Sequence, residues 1–295
     1  MRAGARYVFA AMNVLTIESR VAWGHVGNAV AVFCLQRLGI EAWPIDTVTF
    51  SNHPGHGGFR GRVTPAIEIQ DIVQGIAERG WLGRVDAVLT GYLGDASQGP
   101  ALRAAVGTVK SANPGALWLL DPVMGDRKPG QPGRVFVKPG IPEFFAEIAP
   151  LADILTPNET EFAFLLRERY GQAVAPTYWE LADAQLHALC RATGIPTVVI
   201  TLGDKGCFVS HAEAATRGDA EPYYRLPAEP ARCVDTTGAG DAYSGGLAAG
   251  LVHFAGQPFR RAATHANRVA ALSVEQPGTA PAMPTREAVR ARFGD

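Results

Sequence analysis

The chain reads as an α/β protein, with a mainly parallel sheet covered by helices on both faces. Three observations predict this. Short apolar, β-rich runs alternate with stretches of helical spacing along the whole sequence. Several runs end in small polar clusters, such as 121–126 and 156–161, placed where ligands bind at the carboxyl edge of a parallel sheet. No internal repeat or linker divides the chain, so one domain over 1–295 is expected.

Composition narrows the function classes. Hydrophobic residues make up 47% of the 295, enough for a sizeable core. A net charge of -1 gives no electrostatic footprint for nucleic acid or an anionic membrane. No apolar run is long enough to span a bilayer. Cys34, Cys190, Cys207 and Cys233 are far apart and form no metal-type pair, which fits reduced thiols in a cytoplasmic protein. Residues 1–12 read as a short N-terminal extension. They lack the small-x-small site of a signal peptide, and Asn13 and Thr16 interrupt the apolar run that follows.

The elements follow in order. Val14 to Glu18 reads as a strand, Ser19 to Asn28 as a polar, Gly-punctuated loop, and Ala29 to Leu38 as a helix stopped by Gly39. Ser19 thus stands where a first strand-to-helix loop offers a hydroxyl to a substrate. Ala42 to Phe50 alternates like a strand and leads into a mobile Gly-rich flap, about 41–62 in all, containing His53, Pro54 and Gly55. His53 and His56 have no third metal ligand nearby in sequence. Neither a G-x-G-x-x-G nor a Walker A motif occurs, so phosphates need another cradle.

Helical spacing returns over Pro65 to Arg79, then a strand over Asp86 to Gly91, with Tyr92 just past its end, placed to stack on a flat substrate. A helix over Ala101 to Lys110 precedes a strand at Leu117 to Leu120, which delivers Asp121 and Asp126. Two carboxylates there suit Mg²⁺ or a water beside phosphate; turn formation is the plainer reading, a fair one for Asp126 and a poorer one for Asp121. A strand near Asp153 to Leu155 leads to Thr156, Asn158 and Glu161. Asn158 and Glu161 form an i, i+3 pair that reads equally as a capping box or as a holder of hydrated Mg²⁺. Helix over Tyr178 to Ala192, strand over Thr197 to Thr201, a turn at 202–206 and a strand from Cys207 to Ser210 follow. Thr201 and Gly203 are placed to touch a nucleotide. Residues 211–222 read as a variable surface loop. Pro258 to Val274 and a short segment ending at Phe293 complete the helices.

The most specific stretch is Asp235-Thr236-Thr237-Gly238-Ala239-Gly240-Asp241, at the mouth of a small-residue helix. A helix start exposes N–H groups and the positive end of its dipole, so Gly238, Ala239 and Gly240 form a candidate anion hole. Asp241 beside that anion needs a reason to be there. Accepting the proton of an attacking hydroxyl is one; capping a helix is the plainer alternative.

This run resembles the C-terminal signature of the ribokinase superfamily of ATP-dependent small-molecule kinases. Ser19-Arg20-Val21 with Gly24-His25-Val26-Gly27-Asn28, Phe50-Ser51-Asn52-His53, Gly91-Tyr92-Leu93-Gly94, Asp121-Pro122-Val123-Met124-Gly125-Asp126 and Thr156-Pro157-Asn158-x-x-Glu161 make it similar to the pyridoxal kinases, over about residues 14–275. The resemblance implies a ribokinase-like three-layer α/β/α sandwich with a small flap. It also implies transfer of the ATP γ-phosphate to the 5′-hydroxyl of pyridoxal, or of pyridoxine or pyridoxamine, in a cytoplasmic homodimer. Asp241 would be the base. Ser19, Tyr92 and the flap residues His53, Pro54 and Gly55 would meet the substrate. Asp121, Thr156, Asn158, Glu161, Thr201, Gly203, Gly238 and Gly240 would line the ATP side. Asp121 and Glu161, with Asn158 and Asp126, would organise Mg²⁺, alongside a monovalent cation such as K⁺.

Two departures stand out. Pyridoxal kinases usually carry Ser-Asn-His-Thr in the flap, and Pro54 here supplies neither hydroxyl nor N–H. The stretches 235–241, 266–274 and 283–285 read more like sugar-type ribokinases. A sugar or nucleoside kinase, a hydroxymethylpyrimidine kinase and a non-catalytic vitamer-binding protein stay open as alternatives.

Overall fold

A computed structural model describes residues 13–127, 133–171, 180–279 and 281–294. The tail expected over 1–12 and the start of the helix expected at Tyr178 lie outside the described residues. The strands are β1 (Asn13–Trp23), β2 (Glu41–Asn52), β3 (Gly61–Val63), β4 (Val85–Thr90), β5 (Leu117–Leu120), β6 (Gly125–Asp126), β7 (Arg134–Val135), β8 (Ile154–Leu155), β9 (Thr197–Thr201), β10 (Cys207–His211) and β11 (Tyr223–Leu226). The helices are α1 (Asn28–Arg37), α2 (Ala66–Glu78), α3 (Gly99–Ala112), α4 (Ile141–Ile148), α5 (Glu159–Tyr170), α6 (Asp183–Ala192), α7 (Ala239–His253), α8 (Phe259–Ser273) and α9 (Arg286–Phe293).

Among the described residues one sheet runs in the order β11-β10-β9-β8-β5-β4-β1-β2-β3. From β2 through β9 every pairing is parallel, and the strands beyond at either side, β3 and β10–β11, are antiparallel. Successive side chains of a strand face opposite sides, and β1 obeys this rule. Leu15 and Ile17 enter a core with α2, α3, α4 and α5, through Ile69, Leu102, Phe145 and Phe162. Val14 enters a second core with α1, α7 and α8, through Leu35, Leu247 and Ala263. Three layers result, as the alternation of elements predicts.

Helix α7 is buried from Ala242 to Gly250, so its small residues set how closely its neighbours approach. A Cβ at Gly250 would lie 2.9 Å from the Cα of Ala262 on α8, and one at Gly246 would lie 3.0 Å from the Cβ of Val269. The residues that read as a phosphate-site helix therefore also let α8 pack directly on its backbone.

Several expectations are corrected. The loop expected from Ser19 is strand as far as Trp23, because β1 stays paired with β2 through Trp23 and Asn52, with a register shift between Glu18 and Ser19. Helix α6 runs from Asp183, and the described residues 180–182 before it are not part of it. The supposed surface loop 211–222 buries His211 and Asp219 completely or nearly so. Asp219 Oδ1 accepts the N–H of Arg260 at 3.1 Å, near the start of α8. Pro258 precedes that helix and supplies no side-chain cap, so a residue from a distant loop replaces it. Strands β6, β7 and β11 and helix α4 had no counterpart in the sequence reading. They are short, and α4 starts with Gly140 in the left-handed region and Pro142 in its first turn.

Candidate active site

The loop before α7 is braced by its own acid. Asp235 accepts the N–H of Thr237 through Oδ1 and the N–H of Gly278 through Oδ2, each at 2.9 Å. Those backbone donors hold its carboxyl below the usual range. The Thr279 hydroxyl donates to the Thr237 carbonyl. Gly238 then turns the chain at φ 78°, and a Cβ there would meet the His25 carbonyl oxygen at 2.4 Å. Only glycine fits both demands. Helix α7 starts without any side-chain cap, although the Ala239 N–H is turned back onto the Thr236 carbonyl at 3.1 Å.

Asp241 lies in the first turn and is partly exposed. Its carboxyl is pushed up to about 6 by burial, against N–H groups of Gly27 and of Asp241 itself. Gly27 in turn lies against Ser19: a Cβ on it would be 2.2 Å from the Ser19 carbonyl oxygen and 2.3 Å from Oγ. Ser19, Gly27 and Asp241 are thus contiguous, though 222 residues separate the outer two in sequence.

Asp121 stands at the end of β5 and is buried. Its Oδ2 accepts the Ser244 hydroxyl of α7 at 2.7 Å, and Ser244 Oγ lies 3.3 Å from Thr156 Oγ1. Burial pushes this carboxyl up to about 7; Ser244 opposes the rise and the Asp241 charge adds to it. Asn158 and Glu161 form a reciprocal capping box: Asn158 Oδ1 accepts the Glu161 N–H and Glu161 Oε2 accepts the Asn158 N–H, both at 2.9 Å. The pair does more than cap α5. Glu161 Oε1 accepts the Met124 N–H at 3.0 Å, and Asn158 Nδ2 donates to the Gly125 carbonyl at 2.9 Å. Both side chains therefore tie down the loop that carries Asp121. Burial, then the Asp121 charge, holds the Glu161 carboxyl well above its usual range. Asp126 is exposed and bound to the Arg127 N–H at 2.7 Å.

The remaining residues border this cluster. Tyr92 is half-buried against Val21, Val48 and Phe50 at the root of the flap. In the flap, His53 Nδ1 accepts the Gly55 N–H at 3.1 Å and caps a single turn over Pro54–His56. Proline is at home in a first turn position, where an N–H would have no partner. The His56 ring packs edge-on to Trp23 at 4.9 Å, which brings the flap back onto the end of β1. Thr201 pairs with the Asn158 stretch and donates its N–H to the Pro157 carbonyl at 2.9 Å. Gly203, at φ 57°, faces open space.

Comparison with known proteins gives the family. The model of the pfkB family of carbohydrate kinases matches residues 132–286. Pyridoxal kinase PdxY of Rubrobacter xylanophilus is 44% identical over 238 residues, 78% of this chain and 76% of that protein. The chain belongs to the pyridoxal kinase family. PdxY of Granulibacter bethesdensis is 51% identical over 155 residues, which cover 52% of this chain and 53% of that protein. The pyridoxal kinase of Leishmania donovani, solved with ADP and pyridoxamine, superposes with a TM-score of 0.70 at 26% identity, over 95% of this chain and 96% of that one. The ribokinase-like fold expected from the sequence is the fold of this family.

Two residues of the cluster escaped the sequence reading. Ser244 is three positions after Asp241 on the same helical face, a spacing that could have flagged it. Glu18 is a charged residue inside β1, just past the point where its pairing with β4 ends at Ile17 and Thr90, and is itself only 2% exposed. Burial first, then the charges of Asp241 and Asp121, holds its carboxyl well above the usual range. Its Oε1 fills the space beside Gly91, where a Cβ would come within 2.8 Å. Among the described residues no three His, Cys, Asp or Glu side chains are grouped closely enough to hold a metal ion, and no helix is long and apolar enough to cross a membrane.

Proposed function

We propose that this protein transfers the γ-phosphoryl group of ATP to the 5′-hydroxyl of pyridoxal, giving pyridoxal 5′-phosphate for vitamin B6 salvage, with pyridoxine and pyridoxamine as further acceptors. The observation that carries the reading is Asp241, in the first turn of a helix with no side-chain cap, joined through Gly27 to Ser19 and electrostatically to Asp121. The pyridoxal kinase relatives support the acceptor.

In this reading the acceptor lies between Ser19, Tyr92 and the flap residues His53 to Gly55. Its hydroxyl attacks phosphorus as Asp241 takes the proton. That transfer comes late, since a carboxylate is too weak a base to ionise an alcohol beforehand. The new O–P bond forms as the bond to ADP breaks, and the backbone N–H groups of Gly238 and Gly240 receive the charge that develops on the migrating group, since the Ala239 N–H, expected to join them, is taken by the Thr236 carbonyl. The nucleotide runs past Asp121, Thr156 and Asn158 toward Thr201 and Gly203.

Mg²⁺ neutralises phosphate charge when bound. Asp121 would hold it, with Glu161 and Asn158 fixing the loop that carries Asp121. The buried acids and the unpartnered Oε2 of Glu18 suit a cation. A cytoplasmic homodimer completes the proposal. The test is ADP release on adding pyridoxal, ribose or hydroxymethylpyrimidine to enzyme and MgATP. Pyridoxal is expected to give the highest kcat/KM; a faster sugar or pyrimidine, or no release with any acceptor, overturns the reading.

A further inference from the structure

Glu18 takes no part in the proton and phosphoryl transfers above, yet the charges of Asp241 and Asp121 both act on it. Its Oε2 is buried and has no hydrogen-bond partner among the described residues. Strand alternation sets it on the same face of β1 as Val14, the face covered by α1 and α7, and the register shift that re-aims the strand falls just after it. The Asn28 amide donates to its carbonyl oxygen at 3.4 Å, and the side chain closes off Gly91. A buried acid of this kind is costly, because no partner among the described residues repays the desolvation of Oε2. Two further acids, Asp121 and Asp241, act on it with the same sign. The triphosphate that the Gly238–Gly240 turn would receive adds more negative charge. A structural role would be served better by an apolar residue or a paired one.

We propose that Glu18 is a positioning residue for the divalent cation that accompanies ATP, holding that ion's water shell from the β1 side of the cleft. The inference rests on the kinase reading. Mg²⁺ suits it because this ion keeps several of its waters and is gripped through them. The ion relieves the repulsion among Glu18, Asp121 and Asp241, and the orphan oxygen gains a water as donor.

The test measures the ion itself. Mn²⁺ binding to enzyme saturated with a non-hydrolysable ATP analogue is followed by the EPR signal of free Mn²⁺, in wild type and Glu18→Gln. Glutamine keeps the shape and one carbonyl oxygen and removes the charge. The Mn²⁺ Kd is expected to rise by roughly tenfold or more, the range found when an outer-shell partner is lost. The KM for MgATP should rise while KM for pyridoxal stays put. A Mn²⁺ Kd within twofold of wild type overturns the proposal, as does equal weakening of pyridoxal binding. If Glu18→Gln does not fold, Glu18→Asp takes its place. It keeps the charge but withdraws it by one methylene, and an unchanged Kd again refutes the idea. Wild-type protein that fails to bind the analogue at all removes the kinase reading and this inference together. Normal analogue binding with an indifferent variant removes only the inference.

Discussion

The two ends of the sheet treat buried acids in opposite ways. At the amino end of β9, Asp219 accepts Tyr224 Oη at 2.6 Å, His211 Nε2 at 2.9 Å and the Arg260 N–H at 3.1 Å. His211 therefore carries its proton on Nε2 and accepts the Thr197 hydroxyl at Nδ1, 3.1 Å away. At the carboxyl end, Glu18, Asp121 and Asp241 are buried or half-buried; Asp241 is held by backbone N–H groups, Asp121 by one hydroxyl and Glu18 Oε2 by no partner among the described residues, and all three carboxyls are raised. A satisfied acid fastens the fold. An acid left short of partners is kept for something that arrives later. The difference separates structure from function within one sheet.

The sharpest way to break this comparison is at Asp241. Asp241→Asn should lower kcat by about 10²–10⁴-fold, the usual worth of a positioned base, while calorimetry finds the ATP analogue bound as before. A near-normal turnover removes Asp241 from the base role. Asp219→Ala should do the reverse. It strands His211 and Tyr224 and uncaps α8, at a cost of roughly 3–5 kcal/mol in urea unfolding, with kcat per folded molecule unchanged. A kcat that falls with it would erase the distinction between the two ends.

Acidity separates the ends next. Asp241 at about 6 and Asp121 at about 7 predict a kcat that falls as pH drops through 7 to 5, because the base is then protonated. A flat profile down to pH 5 argues against it. Stability should respond with opposite signs. Asp121 ionises at about 7 when folded and near its ordinary 3.8 when unfolded, so the folded state holds an extra proton between these values. Its contribution worsens as pH rises through that window, and Asp121→Asn should raise the melting temperature more at pH 8 than at pH 5. Burial lowers His211 below its ordinary 6.5, so its contribution is present above 6.5 and is lost as pH falls below it. His211→Gln should flatten the loss of melting temperature on that acid side. The smallest effect belongs to the flap. Pro54→Thr restores a hydroxyl, and one net hydrogen bond predicts a KM for pyridoxal lower by about 2- to 10-fold. An unchanged KM places the acceptor away from residue 54.

Much of this was legible in order of residues. Alternating apolar runs dictated the parallel sheet, because strand and helix periods are local properties. The Gly238–Asp241 turn and the Asn158–Glu161 pair carry their geometry within a few residues, so the helix start and the capping box could be read directly. The resemblance to pyridoxal kinases carried the family. The short elements β6, β7, β11 and α4 left too few residues for a period to show.

What only the tertiary structure decided is which acids share a space. Glu18 reads as the end of one strand, Asp121 as the end of another and Ser244 as one of many small helix residues. The segment holding His211 and Asp219 reads as surface because nothing nearby in sequence announces Tyr224 or α8 as its cover. Burial and Coulomb interaction depend on distance through space, and for these residues that distance is set by strand order and helix packing, not by separation along the chain.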